Sequence, residues 1–147
     1  MIRLAALLLL AAGPALAAGP PQYVAGPATG YQYDCRQAKQ PVPSIATLVT
    51  EIPDLDGDGL PDHVIESAKG CAAVRALYCN EAEGCTLQIY PSSWSGIAER
   101  YKVRQWKPDR ATRPATLSIT TGGAECRGAP ACTLTLRWTG ERLLPVR

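Results

Sequence analysis

The sequence reads CNEAEGCTLQIY at positions 79–90 and CRGAPACTLTLRW at positions 126–138, and both stretches share the phrase C-x5-C-T-L-x-[IL]. After the second cysteine of each copy, apolar and polar residues alternate with the period of a half-buried strand. Leu87 and Ile89 are therefore expected to face one side of a sheet, and the second copy behaves in the same way. The five residues between the cysteines favour turns, so each copy predicts a short loop that leads into a strand.

The N-terminus has the pattern of a secretory signal peptide. Arg3 supplies a positive charge, an apolar run extends from Leu4 to Ala12, and residues 15–17 read Ala-Leu-Ala, which is an A-x-A cleavage pattern. We therefore predict a signal peptide over residues 1–17, with a buried N-terminal helix as the alternative. The apolar run is too short to anchor the chain, so no membrane span is expected after cleavage. The mature protein is expected to be periplasmic or secreted.

Six cysteines follow the predicted signal peptide. An even number in an exported chain of this size predicts disulfides. Local closure of the two C-x5-C loops, followed by pairing of the two remaining cysteines, predicts three bonds: Cys79–Cys85, Cys126–Cys132 and Cys35–Cys71. Zinc is the alternative, but C-x2-C spacing is absent and the sequence contains one histidine. A structural role is expected because C-x5-C is not a redox motif.

Composition favours one β-rich domain. The chain has 147 residues, of which 46% are hydrophobic, and this size suits a single domain with a buried core. Its 13 glycines and 13 prolines indicate many turns and disfavour a helical bundle. We predict a mostly β fold, a small antiparallel meander of hairpins with disulfide-closed loops and at most one short helix, at 72–78. Residues 18–30 are expected to form a flexible lead-in, followed by a short strand at 31–35, and residues 31–147 to form the single domain.

The stretch DLDGDGLPD at positions 54–62 contains four of the six aspartates of the chain. They occupy positions 1, 3, 5 and 9 of the stretch, so a curled loop would bring their side chains to one point, and Gly59 permits the sharp turn. Carboxylates gathered in this way repel one another unless a cation lies among them. Oxygen donors at this spacing favour Ca²⁺, and the predicted ligands are Asp54, Asp56, Asp58, Asp62 and the carbonyl of Leu60. A solvated acidic turn without an ion is the alternative.

The flanks of this loop indicate strands and disfavour an EF-hand. Position 12 is Ile65, where an EF-hand has glutamate, and Pro53 biases the residue before it away from helix. Residues 46–52 and 63–66 are therefore predicted as strands. The aspartate stretch and the following His-Val-Ile resemble the calcium loops of FG-GAP/VCBS-type repeats, as found in integrin-like β-propeller blades. That resemblance implies calcium ligation by the same five residues. It does not extend to the propeller, which needs at least four blades. As a whole, the chain resembles small exported, cysteine-rich bacterial proteins, a likeness that implies no activity.

Charge is distributed unevenly along the chain. Residues 18–99 contain four Lys/Arg and ten Asp/Glu, whereas residues 100–147 contain ten Lys/Arg and three Asp/Glu. Alternation over 100–106 places the basic residues on one predicted strand face together with Trp106. The residues of this basic face are Arg100, Lys102 and Arg104. We predict a solvated sheet face, or one that faces the acidic part of the chain, with contact to an anionic partner, such as an envelope glycan or protein, as the alternative. No nucleic-acid-binding signature is present.

No catalytic residue is predicted. His63 adjoins the acidic stretch, but no nucleophile or catalytic motif accompanies it, so it is expected to be a surface strand residue. The predicted function is an exported calcium-binding β domain that acts as a binding or structural module of the cell envelope. The alternatives are an inhibitor or accessory subunit of an envelope enzyme, using the basic face, and a small hydrolase.

Overall fold

The computed structural model describes residues 19–93 and 99–146, which form three helices and nine strands. The helices are α1 (Gln22–Gln37), α2 (Ile45–Leu48) and α3 (Ala72–Tyr78). The strands are β1 (Val49–Ile52), β2 (Asp62–Glu66), β3 (Cys79–Asn80), β4 (Gly84–Tyr90), β5 (Glu99–Val103), β6 (Gln105–Asp109), β7 (Thr116–Thr121), β8 (Cys132–Trp138) and β9 (Leu143–Val146). The predicted signal peptide lies outside the described residues.

The strands form two antiparallel sheets. The first sheet has the order β1-β2-β4-β3, with β5 paired to β4, and the second has the order β6-β7-β8-β9. The prediction of a mostly β, antiparallel domain with disulfide-closed loops is confirmed. The two cysteine phrases supply one strand to each sheet, β4 to the first and β8 to the second.

The main core lies between the two sheets. Leu87 and Ile89 of β4 are fully buried there, as the alternation predicts, and Leu136 of β8 faces them from the second sheet. The inward face of each strand thus buries apolar side chains, each of which stabilises the fold by about 1.5–3 kcal/mol. In the second sheet, β7 pairs with β8, and a turn between β8 and β9 is closed by the amide of Thr139, which donates to the carbonyl of Arg142.

A second core lies on the opposite face of the first sheet, beneath α1. The helix contributes a stripe of four buried residues, Val24, Ala28, Tyr31 and Cys35. These positions are spaced four, three and four residues apart, which places them on one face of an α-helix. Because α1 covers this face, Gln88 and Tyr90 of β4 are buried as well. The strand is therefore buried on both faces, where the sequence predicted only one.

Three local predictions are wrong. Residues 22–30 belong to α1 and do not form a flexible lead-in, and the strand predicted at 31–35 is the continuation of the same helix. The described residues also contain three helices where at most one was expected. Pro27 lies inside α1, where proline removes a backbone hydrogen bond. Packing of the buried stripe against the first sheet offsets that cost, because tertiary burial outweighs local propensity.

Three disulfides have the predicted pairing. Cys35–Cys71 joins α1 to the residue before α3, and Cys79–Cys85 links directly opposed residues of β3 and β4. The third bond, Cys126–Cys132, closes a loop that leads into β8. Bonds of this kind persist in an oxidising environment, so the three disulfides place the protein outside the cytoplasm.

Candidate metal centre and basic face

The acidic stretch is the loop of the hairpin between β1 and β2, whose neck is the pair Ile52 and Asp62. The predicted strand–loop–strand arrangement is therefore confirmed, although residues 46–48 belong to α2. Leu55 is fully buried in the core between the sheets. The carbonyl of Asp54 accepts a hydrogen bond of 2.8 Å from the amide of Ala115, the residue before β7. Both sheets therefore hold the loop.

Three of the predicted carboxylates converge. Asp54, Asp56 and Asp58 each have a carboxylate oxygen within 4.8 Å of the other two. Backbone amides orient them: Gly57 and Gly59 donate to Asp54 at 2.5 and 2.9 Å, and the other two carboxylates each accept the amide two residues further along. Both glycines have φ near +86°, which favours glycine. The turn predicted at Gly59 is thus present, and Gly57 makes a second one that the sequence analysis missed.

Two serines that the sequence analysis missed close over the loop. The hydroxyl of Ser92 donates to Asp58 at 2.7 Å, and Ser93 donates to Asp56 through its hydroxyl at 2.5 Å and its amide at 3.2 Å. The Ser92 hydrogen bond lowers the pKa of Asp58. Both serines follow β4, more than 30 residues along the chain from their partners, so the spacing of the aspartates gives no sign of them.

Asp62 has a different role from the three converging carboxylates. Its side chain is fully buried, and its two oxygens accept the amides of Leu55 at 2.6 Å and Ser92 at 2.7 Å. Burial raises the pKa of Asp62 to about 6, although these two hydrogen bonds act in the opposite direction. The structure thus uses Asp62 to fix the neck of the loop and does not bring it into the cluster.

Leu60 contributes to the loop through its backbone. Its side chain is 59% exposed, and its amide donates to Asp58. The ligand role of its carbonyl stays a prediction.

The donors of the cluster fit a hard divalent cation. The side chains that meet there, three carboxylates and two hydroxyls, offer oxygen alone, which suits Ca²⁺. The nitrogen and sulfur ligands that transition metals prefer are not among them. Asp54, Asp56 and Asp58 would hold the ion, with the serine hydroxyls beside it.

His63 is buried, and the prediction of a surface position is wrong. It lies beneath α1, where its Nδ1 is 2.8 Å from the hydroxyl of Tyr23 and the two rings meet edge to face. Burial lowers the pKa of the imidazole, so the neutral form is favoured. The hydrogen bond with Tyr23 of α1 gives His63 a structural role.

The predicted basic face is divided by the structure. Lys102 donates to the carbonyl of Tyr78 at 2.6 Å, and Arg104 donates to the carbonyl of Ala82 at 2.5 Å. Trp106 does not share this face, because the chain passes from the first sheet to the second after Val103. Arg100 alone points into a groove beside α1. The alternative role as an inhibitor or accessory subunit depends on these three cations. Two of them are engaged in hydrogen bonds, and among the described residues Arg100 has no such partner.

Comparison with protein families, with curated proteins and with solved structures finds no match for this chain. Within residues 19–93 and 99–146, no helix has the length and apolar character needed to cross a bilayer. The geometry of the site therefore carries the functional argument.

Proposed function

We propose that the protein is an exported calcium-binding β domain that acts as a binding or structural module of the cell envelope. The observation that carries this proposal is the convergence of Asp54, Asp56 and Asp58 within 4.8 Å on a loop held by both sheets. The resemblance of the loop to FG-GAP/VCBS-type calcium loops supports the same ion. The predicted signal peptide supports export to the periplasm or beyond.

Electrostatics favours a bound cation at this point. Three carboxylates at such distances repel one another, and the backbone amides and serine hydroxyls around them stabilise these charges but carry no positive charge to neutralise them. A divalent ion would neutralise the cluster and connect the β1–β2 hairpin to the turn after β4. The ion would thereby stabilise the folded domain, which suits a structural role in an extracytoplasmic module.

Calcium titration into chelator-treated protein tests the proposal. Extracellular calcium modules bind in about the 10⁻⁴ to 10⁻³ M range, so we expect saturable heat in isothermal titration calorimetry at millimolar calcium. Binding to the folded state alone stabilises it by about 2.7 kcal/mol at a hundredfold excess over Kd, which a thermal melt detects as a raised Tm.

The control removes one carboxylate charge at an exposed site away from the cluster. The double variant Asp56→Asn/Asp58→Asn should lose both the heat and the rise in Tm, whereas Asp109→Asn should keep them. Asp109 is exposed, and its side chain accepts only the local amide of Ala111. Absence of heat and of a thermal shift in the wild-type protein would exclude calcium binding, and equal heats in the wild type and the double variant would place the ion elsewhere.

A further inference from the structure

A groove of about 770 Å³ lies between α1 and the face of the first sheet that carries Gln88 and Arg100. Its walls include Tyr31 and Asp34 from the helix and Tyr78 from α3. The volume is within the range of small-molecule sites, which is about 300–1,000 Å³. The groove shares no residue with the acidic loop, so it is a separate feature of the molecule.

Arg100 is the cation on the sheet side of this groove, and the exposed Arg36 of α1 lines the helix side. Arg100 pairs directly across the sheet with Gln88, so both side chains lie on the face towards α1. Among residues 19–93 and 99–146, no ion pair or hydrogen bond engages its guanidinium. Arg100 nevertheless acts electrostatically on Tyr90 in the groove. Burial raises the pKa of Tyr90 to about 12, and the positive charge of Arg100 opposes that rise. A free guanidinium is a planar fork that fits a carboxylate through two parallel hydrogen bonds.

The floor of the groove is organised before any ligand arrives. Tyr90 donates to the amide oxygen of Gln88 at 2.6 Å, and the amide nitrogen of Gln88 donates to the hydroxyl of Tyr31 at 2.8 Å. These two bonds fix the orientation of the amide, which keeps one further N–H and one further lone pair. The helix wall is tied covalently by the Cys35–Cys71 bond. Binding would therefore order few additional side chains, which favours affinity.

The walls combine rings with polar groups. The rings of Tyr31 and Tyr78 lie 4.9 Å apart between centroids, and Tyr33 presents a ring that is 57% exposed. Tyrosine offers an apolar ring face and a polar hydroxyl together, so such walls suit a ligand whose rings also carry hydroxyls. Asp34, which accepts from Tyr78 at 3.3 Å, puts a negative charge in the same groove.

We propose that this groove binds a carboxylated saccharide, with Arg100 taking the carboxylate and the exposed Tyr33 and partly exposed Tyr78 contacting the sugar rings and hydroxyls. The inference deepens the binding-module function proposed above and rests on it, but it does not depend on the metal. It also assigns the predicted anionic contact to Arg100 in place of the whole basic face.

Calorimetric titration with trigalacturonate, in a buffer containing EGTA, tests the proposal. We expect saturable binding to the wild-type protein and no binding of the methyl ester of the same sugar, which lacks the charge. Loss of a charge-assisted hydrogen bond should lower the affinity of Arg100→Gln by about tenfold or more. Tyr33→Ala should weaken binding as well. Arg137→Gln, which removes an exposed cation on β8, should bind as the wild type does.

Any of the following results would overturn the saccharide proposal: no heat with trigalacturonate, equal affinity for the methyl ester, or unchanged affinity in Arg100→Gln. Tighter binding of a thymidine hexanucleotide would identify a nucleic-acid site and overturn it too. Because EGTA removes calcium, failure here with a positive calcium titration leaves the metal proposal standing. Sugar binding without calcium binding would support the saccharide proposal and exclude the metal proposal.

Discussion

The backbone amide of Leu55 donates a hydrogen bond of 2.6 Å to the buried carboxylate of Asp62, so the beginning and the end of the acidic loop are joined at its neck. The other oxygen of Asp62 accepts the amide of Ser92. Leu55 itself is buried between the sheets. One carboxylate thus fixes the loop, the hairpin and the turn after β4, and the three converging carboxylates are displayed on that frame.

Removal of the Asp62 side chain is expected to destabilise the fold strongly. Asp62→Ala leaves the buried amide of Leu55 and the partly buried amide of Ser92 without acceptors, and a buried unsatisfied donor costs about 1–3 kcal/mol. Relief of the buried charge offsets part of this, so we expect urea denaturation to show a loss of about 2–4 kcal/mol in the free energy of unfolding. Asp109→Ala, at an exposed position, should change it by less than about 0.5 kcal/mol. Equal effects of the two variants would argue against this role of Asp62.

Asp62 also predicts a pH dependence of stability. Burial raises its pKa from the ordinary 3.8 to about 6, so the folded protein binds this proton more tightly than the unfolded chain does. The part of the free energy of unfolding that comes from binding this proton is therefore fully present below 3.8 and is lost as the pH rises through 6. Measured in chelator, the stability of the wild type relative to Asp62→Asn should grow as the pH falls across this interval. A constant difference would contradict the raised pKa.

Gly59 is expected to affect both stability and calcium binding. Its φ is +87°, and a Cβ there would meet nothing within 4 Å, so alanine costs only backbone strain of about 1–2 kcal/mol. Its amide also orients Asp54, and a backbone shift that relieves the strain of alanine would move this amide, so Gly59→Ala should weaken the proposed calcium binding in calorimetry. Gly128 has φ +86° and is equally open, which makes Gly128→Ala a control with the same strain. Equal calcium affinities in the Gly59→Ala and Gly128→Ala variants would show that the Gly59 turn does not contribute to calcium binding.

Gly122 marks the contact between the two cysteine loops. A Cβ at this position would lie 2.2 Å from the carbonyl oxygen of Ala82 and 2.8 Å from that of Pro130. Because both neighbours are backbone, Gly122→Ala should destabilise the protein by about 1–3 kcal/mol in calorimetric unfolding. Gly26→Ala in α1 has open space and should stabilise it by about 0.5–1 kcal/mol. A Gly122 variant with an unchanged Tm would show that the loops do not meet.

The disulfides should differ in their effect on stability according to the loops they close. Cys35 and Cys71 are 36 residues apart, whereas Cys126 and Cys132 are six apart. On the chain-entropy account, replacing each pair by serine should cost about 4 kcal/mol for the first bond and about 2 kcal/mol for the second, measured by urea denaturation. The reverse order would mean that the packing of α1 does not depend on its covalent tie.

The sequence analysis succeeded where the signal is local. The C-x5-C spacing predicts two disulfides because a six-residue separation lets the cysteines meet at the neck of a loop, and the alternation after Cys85 predicts the inward face of β4. The same holds for the aspartates at alternate positions, which converge because their own backbone curls.

It failed where distant segments decide the outcome. Pro27 and its neighbouring glycines conceal the helical spacing of Val24, Ala28 and Tyr31, a spacing whose benefit arises only when the first sheet packs beneath it. Ser92 reaches the acidic loop through the fold and not through the chain. Asp62 belongs to the aspartate pattern, but its carboxylate is buried and accepts the amides of Leu55 and Ser92. It therefore fixes the neck of the loop and does not join the cluster.

The three disulfides join each cysteine to its immediate neighbour along the chain: first with second, third with fourth, fifth with sixth. A polypeptide that emerges N-terminus first and is oxidised as it emerges meets the correct partner for each thiol before any competing one becomes accessible. Native connectivity can thus be reached by vectorial oxidation alone, without a step in which wrongly joined sulfurs are exchanged.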